Sequence, residues 1–165
     1  MDAINRLESQ SRLEHAHQAL GDFLTSDQWY PRPLEGMRGF SCNYRGHNGR
    51  YHVTAFIAES SEILMCYAYA STYVPSARLA AAAEYLTRAN YNLLLGNFEL
   101  DYRDGEVRCK ASISFVDEAL TAGLISQVVY VPARHMDNYI PGLLAVAYGQ
   151  ADPAAEIARI EEGGD

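Results

Sequence analysis

The sequence of 165 residues has few cysteines, and they form no pattern that binds a metal. Cys42, Cys66 and Cys109 are far apart and odd in number, and no Cys-x-x-Cys pair occurs. Zinc sites and disulfide frameworks both need defined cysteine spacings, so neither is expected here. The simplest expectation is a soluble, cytoplasmic protein whose thiols stay reduced.

Long apolar stretches and basic residues are also scarce. No segment reaches the roughly 18 apolar residues that span a bilayer, and the first residues are charged where a signal peptide would be apolar. The 13 lysines and arginines, with Lys110 as the single lysine, stand against 21 acidic residues, which gives a net charge of -8. Because an acidic surface repels phosphate groups, the sequence predicts neither direct nucleic-acid binding nor membrane binding.

Patterns of catalysis and cofactor binding are missing as well. The five histidines include no pair at the i and i+4 spacing of a helical metal site, and no glycine-rich loop joins a strand to a helix. Glu99 and Asp101 could act as an acid and a base, but ion pairs predicted with Lys110 and Arg108 favour the ionised state of both. The sequence therefore predicts a non-enzymatic protein without catalytic residues, metal or cofactor.

Apolar residues recur with helical and strand-like periods along a sequence whose length suits one domain. Apolar residues recur at helical spacing over about 9–25. Residues 1–12 are polar and are expected to form a mobile arm ahead of a single domain at 13–165. A second helix is predicted over about 76–91, with Ser76 as its N-cap.

The C-terminal part reads as helices. Thr121 is expected to cap a helix that Pro132 kinks or breaks, because proline lacks a backbone donor and clashes with the preceding turn. Gly149 is expected to end this helix. Asp152-Pro153 then begins a last helix over about 153–162.

Two turn signals predict two β-hairpins. Asn48-Gly49 favours a two-residue turn, although Gly46 leaves room for a longer loop. This turn pairs Tyr44 with Val53, Cys42 with Ala55 and Phe40 with Ile57 on one face, and Arg45 with His52, Asn43 with Thr54 and Ser41 with Phe56 on the other. Asp104-Gly105 favours the same kind of turn, which pairs Arg103 with Glu106, Asp101 with Arg108, Glu99 with Lys110, Tyr102 with Val107, Leu100 with Cys109 and Phe98 with Ala111.

The strand predicted at 62–70 is apolar on both faces. One face carries Ile63, Met65, Tyr67 and Tyr69, and the other carries Leu64, Cys66, Ala68 and Ala70. Such a strand is expected to be covered on both sides. The helices of the domain cover one side, so the other needs a loop, the N-terminal arm or a second molecule.

Candidate protein-interaction residues follow from these patterns. Trp29 and Tyr30 lie in a proline- and glycine-containing loop at 26–39, where large aromatics either pack on the core or anchor a partner. Small residues on one side of the helix at 76–91 permit close approach of another helix. The candidate set is Trp29, Tyr30, Met65, Tyr67, Tyr69, Ala77 and Ala81.

The central segment resembles a known family. The runs Ala83–Tyr91 (AEYLTRANY), Leu95–Asp101 (LGNFELD) and Asp104–Arg108 (DGEVR), with Met136–Pro141 (MDNYIP) near the end, are similar to the YbjN family of bacterial proteins. The resemblance implies an α+β fold similar to type III secretion chaperones, with an antiparallel sheet in the order αβββαββα and here an extra C-terminal helix. The signature residues are expected to be structural: Asn90, Tyr91, Gly96, Phe98, Glu99, Asp104, Gly105 and Glu106.

Two functional hypotheses remain open. The first is a chaperone-like or regulatory adaptor that acts as a homodimer and binds an unidentified protein partner, in stress response or signalling. The alternative is a regulatory domain that senses a small ligand in a tyrosine-rich pocket of the sheet. Acidic homodimers that hold an extended segment of another protein are typical of the similar chaperone fold, which favours the first hypothesis.

Overall fold

The structure is a computed structural model that describes residues 3–162, with side chains from residue 7. The helices are α1 (Ala3–Ser26), α2 (Leu79–Asn92), α3 (Ala122–Tyr148) and α4 (Pro153–Glu162). The strands are β1 (Arg32–Pro33), β2 (Gly39–Arg45), β3 (Arg50–Ala58), β4 (Ile63–Tyr69), β5 (Asn97–Leu100) and β6 (Val107–Ser114). Single 3-10 turns at Glu59–Ser61 and Ser76–Arg78 precede β4 and α2.

The strands form one antiparallel sheet in the order β1-β2-β3-β4-β6-β5. Helix α2 and strand β5 lie between β4 and β6 in sequence, whereas β4 and β6 pair directly in the sheet. The predicted α+β class with an antiparallel sheet is confirmed. The short strand β1 falls in the segment 26–39 that the sequence predicts as a loop, and it pairs with Phe40 and Ser41 of β2.

Helix α1 begins at Ala3, earlier than the predicted start near residue 9. The part of the expected arm that the structure describes is therefore helical, and residues 1 and 2 lie outside the described residues. Arg12 and Ser9 bind the carboxylate of Glu62 ahead of β4, at 3.1 Å and 2.6 Å. The hydrogen bond from Arg12 lowers the pKa of Glu62. The division into an arm at 1–12 and a domain at 13–165 stays a prediction.

The first hairpin has the predicted faces but a different register. Tyr44 pairs with Tyr51 rather than with Val53, so each partner is shifted by two residues. The Gly46 amide donates to the Gly49 carbonyl at 2.9 Å, so the turn is centred on His47 and Asn48 rather than on Asn48 and Gly49. A shift by two keeps every side chain on its predicted face, because side chains alternate along a strand.

The second hairpin shows the same correction. Its predicted pairs are wrong, and the observed pairs are Asn97 with Lys110, Phe98 with Cys109, Glu99 with Arg108 and Leu100 with Val107. Asp101 pairs with Arg103 at 2.6 Å within the loop rather than with Arg108. The Gly105 backbone, at φ 83, lies so close to Val74 that a Cβ would stand 2.1 Å from the Val74 carbonyl oxygen. This contact widens the loop and excludes a two-residue turn.

Helix α3 is continuous through Pro132, so a break there is wrong, whereas a kink stays a prediction. An interior proline costs about 3 kcal/mol. Apolar residues on both sides of it are buried against the sheet, including Val129 and Met136 at 0% exposure, and each such side chain contributes about 1.5–3 kcal/mol. The burial of these side chains therefore outweighs the cost of a proline inside the helix. Within residues 3–162, no helix is both long and apolar enough to cross a lipid bilayer.

The helix ends follow the local signals with one exception. The Thr121 hydroxyl accepts the amide of Leu124 at 3.3 Å, and Gly149 ends α3 as predicted. Helix α4 spans the predicted residues, and Asp152 accepts the Ala155 amide at 2.9 Å. Ser76 begins a 3-10 turn and makes no side-chain cap, so its predicted role as N-cap of α2 is wrong.

Candidate protein-binding surface

Helices α1 and α3 pack on one face of the sheet, which we call the inner face. His17 of α1 stacks on Phe40 at a centroid distance of 4.8 Å, and the Cys66 thiol lies 4.0 Å from the Val129 carbonyl oxygen of α3. Helix α2 packs along β5, and α4 packs on α2 and α3. No helix of the described residues packs on the opposite face, which we call the outer face.

The outer face carries a row of rings across β3 and β4. The row, here called the aromatic ladder, consists of His52, Tyr69, Tyr67 and Phe56. The centroid distances between successive rings are 5.6 Å, 6.2 Å and 6.0 Å. Neighbouring rings at these separations attract one another and bury part of their own surface.

Aliphatic side chains extend the ladder toward the end of β4. Met65 lies directly across from Phe56, and Ile63 follows on the same face. These side chains and the ladder rings of Phe56, Tyr67 and Tyr69 are half-buried. A continuous apolar patch on a sheet face that no helix covers marks an interaction surface rather than a core.

Charges border the ladder on β5 and β6, where they form ion pairs. Arg108 lies over the Tyr67 ring at 4.2 Å and also donates to Glu99 at 2.8 Å. Lys110 donates to the same carboxylate at 2.5 Å. Burial raises the pKa of Glu99, but the hydrogen bonds from Lys110 and Arg108 outweigh it, so the pKa is lowered overall. The ladder therefore has a polar rim in which two cations share one carboxylate.

The structure brings three of the predicted interaction residues together. Met65, Tyr67 and Tyr69 all lie on the outer face, as the alternation in the sequence predicts. Trp29 and Tyr30 lie elsewhere, beside the β2 edge. Trp29 is only 5% exposed and stacks on Tyr44 at 5.4 Å, so it belongs to the core. Tyr30 is 81% exposed.

The two alanines of the candidate set lie on a third surface. Ala77 is exposed in the 3-10 turn before α2, and Ala81 is half-buried in the first turn of the helix. The same side of α2 ends at exposed apolar residues, because Tyr91 is 89% exposed and Leu94 is 98% exposed. These residues are distant from the aromatic ladder in the sheet.

The candidate set from the sequence lacks four members of the outer surface, which are His52, Phe56, Ile63 and Arg108. Phe56 was assigned to the mixed face of β3 and not to the candidate set, and Arg108 was assigned to Asp101. The signal for Phe56 was its own position, because a large aromatic on the polar face of a hairpin strand indicates a covering partner. Nothing local indicates that Arg108 stacks on Tyr67, since that contact depends on the β4–β6 pairing.

The family-signature residues make backbone contacts. The side chain of Asn90 accepts the Phe98 amide at 2.7 Å and donates to the Phe98 carbonyl at 3.1 Å. Gly96 has φ 76, and a Cβ there would lie 2.7 Å from the Lys110 carbonyl oxygen. Asp104 accepts the Glu106 amide at 2.9 Å inside the loop that Gly105 closes.

A buried carboxylate joins the first hairpin to α3. Asp137 accepts the amides of His47 and Asn48 at 2.7 Å and 2.8 Å and the Tyr51 hydroxyl at 2.8 Å. Burial raises the pKa of Asp137, but the hydrogen bonds from Asn48, Tyr51 and His47 outweigh it and lower the pKa overall. A Cβ on Gly46 would stand 2.2 Å from this carboxylate, so the loop needs glycine there.

Reactive groups are poorly placed for chemistry. Burial raises the pKa of the Cys42 thiol to about 11 and that of Cys109 to about 12, and it raises the pKa of Cys66 as well. Thiols with such pKa values are weak nucleophiles at neutral pH. Among the described residues, no group of three or more His, Cys, Asp and Glu side chains is arranged to hold a metal ion.

Two solved structures have folds similar to that of this protein. The crystal structure of YbjN from E. coli, "a putative transcription regulator", shares 17% sequence identity at a TM-score of 0.58, over 81% of this chain and 92% of that chain. A chain in the ExsC–ExsE complex shares 15% identity at a TM-score of 0.52, over 79% of this chain and 95% of that chain. These likenesses confirm the type III secretion chaperone-like fold that the resemblance implies.

Three further findings concern a third structure, the curated proteins and a family model. A chain in the HopA1–SchA chaperone–effector complex shares 19% identity at a TM-score of 0.44, over 84% of this chain and 96% of that chain. No curated protein matches the sequence significantly. The model of the YbjN family, described as "Putative bacterial sensory transduction regulator", matches residues 17–145. Because that match covers most of the chain, this protein belongs to the YbjN family.

Proposed function

We propose that this protein is a non-enzymatic adaptor that binds another protein through the outer face of its sheet, in stress response or signalling within the cytoplasm. The observation that carries the proposal is the aromatic ladder, a half-buried apolar surface that no described helix covers. The regulatory description of the family and the similarity to a chain solved in the ExsC–ExsE complex support it.

Partner capture tests this proposal. In the double variant Met65→Ser and Tyr67→Ser, we expect loss of a protein that wild type captures from a bacterial lysate, because the variant removes apolar contact area from the ladder. Tyr102→Ser serves as the control, since Tyr102 is 61% exposed in a loop outside the ladder. Equal capture by wild type and the ladder variant would contradict the proposal.

We further propose that the protein acts as a homodimer joined through α2. The small residues Ala77 and Ala81 allow close approach of a second helix, and the exposed Tyr91 and Leu94 extend this side with apolar surface. Such exposed apolar residues are favourable at an interface and unfavourable in water.

Size-exclusion chromatography with light scattering tests the dimer. Wild type is expected at twice the chain mass at micromolar concentration, and Ala77→Arg with Ala81→Arg at the chain mass, because the new charges prevent close packing. Ala158→Arg on the exposed side of α4 is the control and should stay dimeric. A monomeric wild type would refute the dimer without affecting the partner-capture result.

Small-ligand sensing is a second candidate because of an aromatic recess at the β2 edge. The recess has a volume of about 280 Å³ and is lined by Trp29, Tyr30, Tyr44 and Tyr130, among others. A ligand that binds only the folded state raises the melting temperature. A thermal-shift screen of metabolites should therefore identify a stabilising compound whose effect disappears in Tyr30→Ala, and no stabilising compound would refute this candidate.

A further inference from the structure

Most basic side chains of this acidic protein have a partner. Among residues 7–162, those that pair with a carboxylate are Arg12, Arg38, Arg88, Arg103, Arg108, Lys110 and Arg159. Arg78 donates to the Val146 carbonyl at 2.9 Å. The basic side chains without a carboxylate or carbonyl partner in this part of the chain are Arg32, Arg45, Arg50 and Arg134, and all of them are exposed.

These four arginines, here called the arginine edge, lie along the β1–β2 side of the sheet. Arg45 and Arg50 are directly opposite each other on β2 and β3, and Arg32 is opposite Ser41 on the same outer face. Arg134 reaches the edge from α3, where its guanidinium lies 4.8 Å from the centre of the Tyr130 ring. Like charges opposite each other destabilise a sheet, so this arrangement suits an anionic partner.

The backbone of β2 is open beside these arginines. The Ile57 amide donates to the Arg38 carbonyl, and the Gly46 amide donates to the Gly49 carbonyl. Because hydrogen-bonded pairs alternate along an antiparallel pair of strands, the amides and carbonyls of the even-numbered β2 residues point toward β3. Those of Asn43 and Arg45 point away from β3. Strand β1 covers only Phe40 and Ser41. Neither Asn43 nor Arg45 has a backbone hydrogen-bond partner among the described residues.

The other edge of the sheet is blocked at Phe98. By the same alternation, Phe98 of β5 points its amide and carbonyl outward, and the Asn90 side chain binds both groups. A free strand edge is a template for an added strand, and proteins generally block such edges. The described sheet is therefore blocked at Phe98 of β5 and open at the second half of β2.

We propose that the open half of β2 binds an extended, acidic segment of a partner protein. The segment adds to the sheet at Asn43 and Arg45, so that alternate side chains point to opposite faces. Carboxylates on the outer side meet Arg45 and Arg50, and apolar side chains on the other side enter the recess beside Tyr30. The inference rests on the proposed protein-binding function and names the class of partner segment at a surface separate from the aromatic ladder.

A peptide suits this edge better than a nucleic acid. The open amides and carbonyls alternate as a strand backbone requires, whereas a phosphate backbone offers acceptors without donors. The net charge of -8 also opposes a polyanion as long as DNA or RNA. A short acidic strand places its charges at the arginine edge alone.

Fluorescence anisotropy with short labelled peptides tests the inference. The probe is an eight-residue peptide of alternating Glu and Val, and the comparison peptides alternate Gln and Val, Lys and Val, or Glu and Pro. We expect the Glu-Val peptide to bind at least ten times more tightly than the others, because the Gln and Lys peptides lack the charge and the Pro peptide lacks the amides. Added salt should weaken its binding.

Variants distinguish the contribution of the arginine charges from that of the backbone hydrogen bonds. Arg45→Glu with Arg50→Glu should weaken Glu-Val binding at least ten-fold, whereas Arg103→Glu, an exposed charge change in the β5–β6 loop, should leave it unchanged. Asn43→Pro removes the outward amide and should abolish binding, while Asn43→Ala keeps the amide and should retain it. Circular dichroism verifies that each variant is folded.

Several results would overturn the inference. They are equal binding of the Gln-Val peptide, equal loss with Arg103→Glu, retained binding by a folded Asn43→Pro variant, and tighter binding of a twelve-residue oligothymidine than of the Glu-Val peptide. Partner capture that depends on Met65 and Tyr67 but survives Arg45→Glu with Arg50→Glu would uphold the proposed function while the acidic-segment inference fails.

Discussion

At the scale of single residues, Asp137 decides how the first hairpin meets the helical layer. One carboxylate accepts two backbone amides and a tyrosine hydroxyl, and the Asp137 carbonyl accepts the Asn48 side chain at 2.9 Å. Backbone amides in a loop need partners when they are buried. Asp137 supplies these partners, and the loop backbone at Gly46 lies so close to the carboxylate that a Cβ there would clash with it.

Asp137→Asn should lower the free energy of unfolding by about 2–3 kcal/mol at pH 7, because an amide offers one acceptor oxygen where the carboxylate offers two, so buried donors lose a charged partner. Urea denaturation measures the change. Asp22→Asn on the exposed side of α1 is the control and should change stability by less than about 0.5 kcal/mol.

The same variant has a pH signature. The pKa of Asp137 is lowered in the folded state, so its stabilisation is complete above the unfolded pKa of about 3.9 and is lost as the pH falls through the folded pKa. The stability difference between wild type and Asp137→Asn should therefore shrink below about pH 4. A difference that stays constant down to pH 2 would contradict the role given to this carboxylate.

At the scale of elements, the sheet edges and the turns show how local signals combine. Asn48-Gly49 and Asp104-Gly105 do mark hairpins, but the first turn, which Asp137 contacts, is moved by one residue, and the second loop, beside the Val74–Gly105 contact, is longer than predicted. Each register shifts by two residues, and every side chain stays on its predicted face of the sheet. The turn residues thus locate a hairpin, while contacts outside it set the register.

Asn90→Ala tests the blocking of the β5 edge at Phe98. Removing the amide leaves the Phe98 backbone groups without their partner, and we expect a loss of about 1–2 kcal/mol in the free energy of unfolding. The freed edge should also increase aggregation, measured by light scattering during heating. Asn92→Ala, at an exposed position one half-turn away, should show neither effect, and a soluble, fully stable Asn90→Ala variant would disprove the edge role.

At the scale of the whole molecule, one core joins both ends of the chain to the sheet. Cys42, Cys66 and Cys109 lie on the inner face, with exposures of 3%, 0% and 0%. Helices α1, α2 and α3 cover this face, so access to the Cys66 and Cys109 thiols requires opening of the helical layer.

Thiol labelling should report this opening. We expect Cys66 and Cys109 to react with Ellman's reagent far more slowly in the native protein than in guanidinium chloride, where all three thiols react at once. The labelling rate should rise in Asp137→Asn in step with its lost stability, if opening equilibrates faster than labelling. Rapid native reaction of all three thiols would show that the helices do not seal the inner face.

The sequence alone determined the features that depend on neighbours along the chain. The α+β order, the two faces of β4, the caps at Thr121 and Asp152 and the location of the hairpins were all predictable, because periodicity, capping and turn chemistry act over a few residues. The alternation that placed Met65, Tyr67 and Tyr69 together also belongs to this level.

Only the tertiary structure decided the rest. The continuity of α3 through Pro132, the burial of Trp29 and the clamp between His47 and Asp137, which are 90 residues apart, depend on contacts between distant segments. The same holds for the unpaired arginine edge, since a charge finds or lacks a partner only once the strands have paired. Local preferences amount to a few kcal/mol, so the burial of a shared core can override them.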